Sequence, residues 1–415
     1  MNTKNMVLLL CLFVLQLGIS QTEVEVVPPF NIKTVSFVQN GQNTIPIFAL
    51  SDSFQLQFDD LYGDESNYYY QIVHCNYDWK PSELSINEYI SGFDNQRIQD
   101  YNNSFNTLQL YSHYKLSFPN KFVRFLVSGN FMIKILNEDK EVVFSRKIVL
   151  FENLVTVPMQ VKRARNVRDI ELKQNLEFAV KSSALFQNPI ENIKVLLLKN
   201  GQFKDAIANI KPLFTIGNDL IYKYATETQF WGGNESMYFE NKIIQTANNN
   251  VQYVDAKDIY NSHLYTNQAR ANLAYTYFPD INGNFEVLKS NADNSSVEAD
   301  YAWVYFSLSA PAYYGESDIY VTGMFNNYAM TGENKMEFNT KKGLFEKAIL
   351  IKQGFTNYGF TMADDHGNID YKNAIDGNFS QTENNYFAII YYRENGQRYD
   401  RVVGKGVASS INITN

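Results

Sequence analysis

Alternation dominates this sequence. Short segments in which apolar and polar side chains take turns recur at Ile32–Val38, Ile45–Leu50, Phe54–Phe58, Tyr68–Val73, Leu108–Leu116, Phe131–Leu136 and Val142–Phe151. A period of two sends successive side chains to opposite faces of a strand, so such a chain must pair its strands and stack the resulting sheets. The aromatic content agrees: 29 Tyr, 30 Phe and 3 Trp make 15% of the residues, against 21 Gly and 10 Pro. Tyr and Phe fit a pleated, half-buried surface, which favours sheet over helix bundle.

Turn chemistry separates these strands, as at Asn40-Gly41 and Asn137-Glu138-Asp139-Lys140. Strands of this number and spacing predict an immunoglobulin-like sandwich over 21–153. Pro81 to Gly92 reads as a short helix with Ser82 as cap. A middle β-rich domain is expected over 154–292, with strands at Val155–Val161, Leu176–Val180, Ile193–Leu198 and Leu220–Tyr224. The polar run Asn291–Ser296 reads as a short linker, bridged by inter-domain contacts. A second, early-set-like sandwich is expected over 297–415, with strands at Tyr301–Leu308, Ile319–Thr322, Leu344–Ile351, Tyr358–Met362, Tyr386–Tyr392 and Arg401–Val403. The fold class is thus all-β: two or three immunoglobulin-like or early-set sandwiches in tandem.

Residues 1–20 read as a secretory signal peptide, with Lys4 as the positive start, Met6–Leu17 as the apolar stretch and Gly18-Ile19-Ser20 as the cleavage site. Cleavage would leave Cys75 as the single cysteine of an exported chain, in an apolar run that predicts a buried, inert thiol. Adjacent strand residues face opposite ways, so His74 should not pair with it. No further apolar run has membrane-spanning length. A net charge of −8 argues against nucleic acid or an anionic membrane surface as the main partner.

Chemistry is sparse. His74, His113, His263 and His366 fall in no metal-ligand spacing, and phosphate-binding and nucleophile-elbow motifs are missing, so neither enzyme activity nor a metal or cofactor is expected. The acidic loops Asp280–Asn284 and Asp364–Asp370 read as polar turns. The basic cluster Lys162, Arg163, Arg165 and Arg168 reads as a solvated strand edge, with Arg163, Arg165 and Arg168 as candidate partner contacts.

Ile319-Tyr320-Val321-Thr322-Gly323-Met324-Phe325-Asn326-Asn327-Tyr328, followed by Met336-Glu337-Phe338 and Gly354–Phe360, resembles the early-set modules that bind glycogen or starch. That likeness implies Tyr328 as an aromatic platform and a periplasmic glycan-binding module as the alternative function. A more extensive resemblance is carried by Tyr68–Phe93 with its HCNYDW run, by Ser104-Phe105-Asn106-Thr107, Tyr111–Tyr114, Phe118-Pro119-Asn120, Ser128–Phe131 and Ala299–Leu308. Over nearly all the mature chain these residues resemble the plug protein family of the type IX secretion system of Bacteroidetes.

The resemblance implies a non-enzymatic protein of the periplasm, associated with the inner face of the outer membrane. It would dock on that system's large outer-membrane β-barrel translocon and block it. The chain shows no recognisable sorting domain of the system's cargo before its end at Asn415, so machinery is expected rather than cargo. The family supplies no catalytic residue to carry over. Within HCNYDW, Trp79 is expected to be buried and Asp78 to brace the turn, a structural role.

Overall fold

The computed structural model describes residues 21–182, 186–411 and 413; the expected signal peptide lies outside them. Almost all regular structure is β, in stacked sheets with no closed barrel. The first sandwich faces a five-stranded sheet, in the order Gln42–Thr44, Ile32–Gln39, Phe54–Asp60, Ser112–Phe118, Asp100–Asn103, against a four-stranded one, in the order Ile47–Ala49, Val142–Phe151, Gly129–Leu136, Tyr69–Cys75. Its core follows from the alternation: Phe54, Leu56 and Phe58 meet Phe131, Ile133, Ile135 and Phe144. Each such side chain, fully buried, contributes about 1.5–3 kcal/mol.

The expected short helix is a single turn, Ile86–Tyr89, capped by Ser85 rather than Ser82, with Glu88 accepting from the Ser85 N–H at 2.8 Å. Glu three positions after Ser completes a capping box, which Ser82 cannot form because Ser85 stands at that offset. Ser82 instead hydrogen-bonds His74 Nδ1 at 2.7 Å.

Beyond residue 153 the cores divide elsewhere than at 292 and 297. The second sandwich uses Met159–Arg163, Lys173–Val180, Asp219–Tyr222 and Phe214–Ile216 in one sheet. Its other sheet runs Gln202–Ala208, Ile193–Lys199, Asn385–Tyr392, Arg401–Ser409, so the C-terminal hairpin belongs here. The third sandwich is inserted between: Met237–Glu240, Gly354–Ala363, Phe285–Val287 and Asp318–Thr322 pack on a sheet that includes Val251–Ala256, Tyr260–Leu264, Tyr301–Ser309 and Leu344–Lys352. Asn291–Ser296 therefore lies inside the third sandwich and runs into the helical turn Ser295–Glu298. The reason is pairing: Ile193–Lys199 takes Tyr392–Tyr386 as its antiparallel neighbour across nearly two hundred residues of chain, and a period of two identifies a strand without naming its partner.

Candidate functional site

Two seams fix the first sandwich to the others. At the first, Tyr70 and Ile72 point into their own core while Cys75 turns to the second sandwich. Burial leaves Cys75 wholly covered and pushes its thiol up to about 12, an inert setting. The turn that follows is held by Trp79 N–H donating to the Asn76 carbonyl at 2.9 Å and Lys80 N–H donating to Asp78 Oδ1 at 3.2 Å. Asp78 thus braces the turn as expected, and Trp79 takes a left-handed φ of 61°. Trp79 is 8% exposed, edge-on to Phe203 at 5.5 Å, with Lys147 Nζ 4.4 Å over its ring.

Around it, Ile47, Val149 and Phe151 meet Leu196, Leu198, Ile389, Tyr391 and Val402 in one apolar cluster. Tyr77 rivets the edge: its hydroxyl donates to the Val195 carbonyl and accepts from Asn209 N–H, both at 2.9 Å. Asp400 accepts from Tyr77 N–H at 3.0 Å. HCNYDW is therefore the inter-sandwich joint.

The second seam is built on charge. Asp59, in the strand Phe54–Asp60, is fully buried and accepts from Lys352 Nζ, Tyr301 hydroxyl and His113 Nδ1, each at 2.6 Å. Lys352 and Tyr301 come from the third sandwich; Thr34 of the first lies 2.6 Å from the Tyr301 hydroxyl. Burial alone would push the Asp59 carboxyl up, and the Lys352 ammonium with His113 holds it below its ordinary value. Burial pulls the Lys352 ammonium down against the attraction of Asp59. Lys352 also donates to the Ser296 carbonyl at 2.7 Å, and the Tyr111 hydroxyl of the first sandwich donates to the Ala299 and Ser296 carbonyls at 2.7 and 3.2 Å, so the end of Asn291–Ser296 is tied to the first sandwich.

The residues 104–111, which include the SFNT run, form a loop across this seam. Leu108 and Gln109 N–H groups donate to the Asp300 carboxylate at 2.6 and 3.1 Å, and Phe105 N–H donates to the Val297 carbonyl at 2.9 Å. Fixed in this way, the loop leaves Phe105, Leu108 and Leu110 exposed, and Tyr62, exposed as well, lies on the neighbouring turn. Three large apolar side chains held outward on a pinned loop, with Tyr62 on the turn beside it, are a candidate docking surface.

The residues singled out by sequence are placed differently. Arg163 pairs with Glu171 and Arg165 with Glu177, each at 2.5 Å, and Arg168 lies 3.8 Å from Asp169. They follow an edge strand, Met159–Arg163, as the solvated-edge reading expects, and local carboxylates compensate them. Tyr328 is no open platform. Its ring is turned in so closely that a Cβ on Gly283 would sit 2.1 Å from its hydroxyl, and burial raises its pKa. Gly283, at φ 80° after Asn282 at φ 52°, closes a tight turn in which Asn284 N–H donates to the Ile281 carbonyl at 3.2 Å, a backbone conformation that favours glycine. Asp280 is part of the same turn, accepting from Asn282 N–H at 2.8 Å, and Asp364 accepts from His366 and Asn368 N–H groups at 3.0 and 2.8 Å.

Sequence reasoning missed Asp59, Lys352, Tyr301 and Asp300. The signal available was a charge at the buried end of a strand: Asp59-Asp60 after Phe54–Phe58, and Lys352 after Leu344–Ile351. Such charges stay buried only when paired.

Residues 32–152 match the family model described as "Type 9 secretion system plug protein 1st domain". The crystal structure of a hypothetical protein from Parabacteroides merdae superposes with a TM-score of 0.89 at 29% identity, covering 94% of this chain and 100% of that one. No curated protein matches.

Proposed function

The chain belongs, through its first sandwich at residues 32–152, to the type 9 secretion system plug protein family, and from that premise we propose that it is the periplasmic plug that docks on and blocks the system's large outer-membrane β-barrel translocon. The family match supports an envelope-associated secretion role, and a non-catalytic one is in keeping with it. Membership of the first sandwich is the observation that carries the proposal, and the seams support it. A pore is closed by a rigid body of sufficient width, with no chemistry. Linked sandwiches joined only by tethers would deform. Here one seam is an apolar cluster and the other a buried ionic network, so the first sandwich cannot swing without breaking one of them.

The outward loop 104–111 with Tyr62 supplies an apolar contact on the surface, in keeping with a reversible interface of modest size. The glycan-binding alternative rested on Tyr328, which is half-buried with its hydroxyl turned against Gly283 instead of standing as an exposed platform. Among the described residues no helix is long and apolar enough to cross a membrane. Affinity isolation of the tagged protein from outer membranes should recover a large β-barrel. Cells lacking the protein should admit large hydrophilic molecules that the outer membrane normally excludes. Deletion cells as impermeable as wild type, with the translocon present, would refute the plug.

A further inference from the structure

Arg146 occupies a place where the sequence pattern calls for an apolar residue. In the strand Val142–Phe151 the inward side chains are Phe144, Ile148 and Leu150, all in the first core, and Arg146 shares their register. It is 7% exposed, and its one hydrogen bond to protein runs from Nη1 to the adjacent Ser145 carbonyl at 2.9 Å. A guanidinium carries five N–H donors, so most of its donor capacity finds no protein acceptor. Arg146 lines two adjoining cavities, of about 180 and about 430 Å3, and the larger lies where all three sandwiches meet.

Two further cations line the larger cavity. Lys147 covers the Trp79 ring, and Lys204 reaches across from the strand Gln202–Ala208 to Met330 Sδ of the third sandwich at 3.8 Å. Neither these lysines nor Arg146 makes an ion pair with a carboxylate among the described residues, and burial pulls all three below their ordinary pKa values. Glu25 is the single carboxylate lining the cavity there, and its oxygens already accept from Lys147 N–H at 2.7 Å and Asn327 Nδ2 at 3.0 Å. Cations therefore outnumber carboxylates three to one in this cavity, within a chain of net charge −8. The walls add the amides of Asn43, Asn200 and Gln202. Arg146 is the buried charge of the three, and Glu25 attracts it and Lys147 without pairing with either side chain, so its compensation is partial.

We infer that this junction is a binding site for a phosphate-type oxyanion, free or carried on a lipid headgroup, held by Arg146 and Lys204, with Lys147, on the other face of the same strand, adding positive charge from the Trp79 side. A planar guanidinium with free donors suits bidentate contact to such a group, and the lysines add point charge. Because the walls come from all three sandwiches, the bound anion would tie them together and stabilise the joined state by mass action. This inference does not depend on the plug role.

The test uses the full mature chain with inorganic pyrophosphate, by calorimetric titration and by thermal melting against sodium chloride at equal ionic strength. The wild type should bind and melt about 2 °C or more higher in pyrophosphate. Arg146→Gln and, separately, Lys204→Gln should weaken binding about tenfold or more, the loss of roughly one charge-assisted contact. Lys204 is exposed, so its variant keeps the test open should Arg146→Gln fail to fold. Co-sedimentation with dioleoylphosphatidylglycerol vesicles, against phosphatidylcholine vesicles, separates the sources. Retention on the former that is lost in the variants assigns a headgroup, and pyrophosphate binding without retention assigns a soluble anion. A wild type that binds neither probe, or a Lys204→Gln variant that binds as the wild type does, overturns the inference.

Discussion

The two seams of the first sandwich solve one mechanical problem by opposite means. Toward the second sandwich, Trp79, Val149 and Phe151 lie against Leu196, Leu198 and Tyr391, and the joint is held by area removed from water. Toward the third, a small apolar cluster of Leu61, Tyr111, Tyr301 and Leu350 surrounds the Asp59–Lys352 pair. Apolar contact is non-directional and tolerates small shifts. A buried ion pair with each oxygen of Asp59 committed tolerates none, because a displaced partner leaves a charge without water. The comparison teaches that the third sandwich is fixed by geometry and the second by burial.

Breaking the charged seam should have the largest effect. Asp59→Ala leaves Lys352 buried without its partner and should cost roughly 3–5 kcal/mol, whereas Asp59→Asn with Lys352→Met should be close to neutral or stabilising. Calorimetric melting of both variants checks this, and a single variant as stable as wild type would erase the distinction between the seams. Trp79→Ala should cost roughly 3 kcal/mol, the lower end for a buried aromatic, since Phe203 and Lys147 can settle into part of the space. If that variant melts normally yet no longer recovers its partner, Trp79 is a contact residue and the joint lies elsewhere.

A pH dependence sharpens the comparison further. His74, beside the apolar seam, is held neutral by burial, which lowers its pKa from 6.5 to about 4, against the Ser128 carbonyl and Asp400. Above 6.5 the imidazole is neutral in both folded and unfolded chains and no penalty arises. As pH falls through 6.5 toward 4 the unfolded chain takes up a proton that the folded one refuses, so stability declines, by on the order of 2–3 kcal/mol in all. Denaturant midpoints measured between pH 7 and pH 4 should show this decline, and His74→Gln should flatten it. An unchanged slope in the variant would place the acid sensitivity on other groups.

How legible these features were depended on what kind of signal each left. Strands with one face in a core, such as Ile32–Gln39 and Phe54–Asp60, appear as alternation, and the sequence locates them to within a residue or two. Ile193–Lys199 and Asn385–Tyr392 read as continuous apolar runs because both faces are covered: Val195 and Ile390 by their own core, Leu196 and Ile389 by the first sandwich. That pattern marks a buried strand without saying what buries it, so the insertion of the third sandwich stayed hidden. The Asp59–Lys352 pair is separated by 293 positions, and a lone charge at a strand end is ordinarily solvated. Tyr328 misled because its hydroxyl packs against Gly283, a neighbour forty-five positions away that the local pattern does not reveal.

The smallest effect on stability should accompany the largest effect on docking. Phe105 and Leu110 stand 69% and 62% exposed on a loop bonded to the third sandwich through backbone N–H groups and the Tyr111 hydroxyl, not through these two side chains. Replacing either by Ser removes little buried area, so melting should stay within roughly 0.5 kcal/mol of wild type. An apolar contact at the centre of an interface is worth more than that, and loss of 1 kcal/mol or more in binding is usual for the few side chains that dominate. The variants should therefore fold normally yet recover less of the β-barrel in affinity isolation, with the double substitution losing most. Variants that dock as wild type does would move the contact away from this seam. Variants that unfold would mean the loop belongs to the charged joint itself, and that the two seams differ in size as well as in kind.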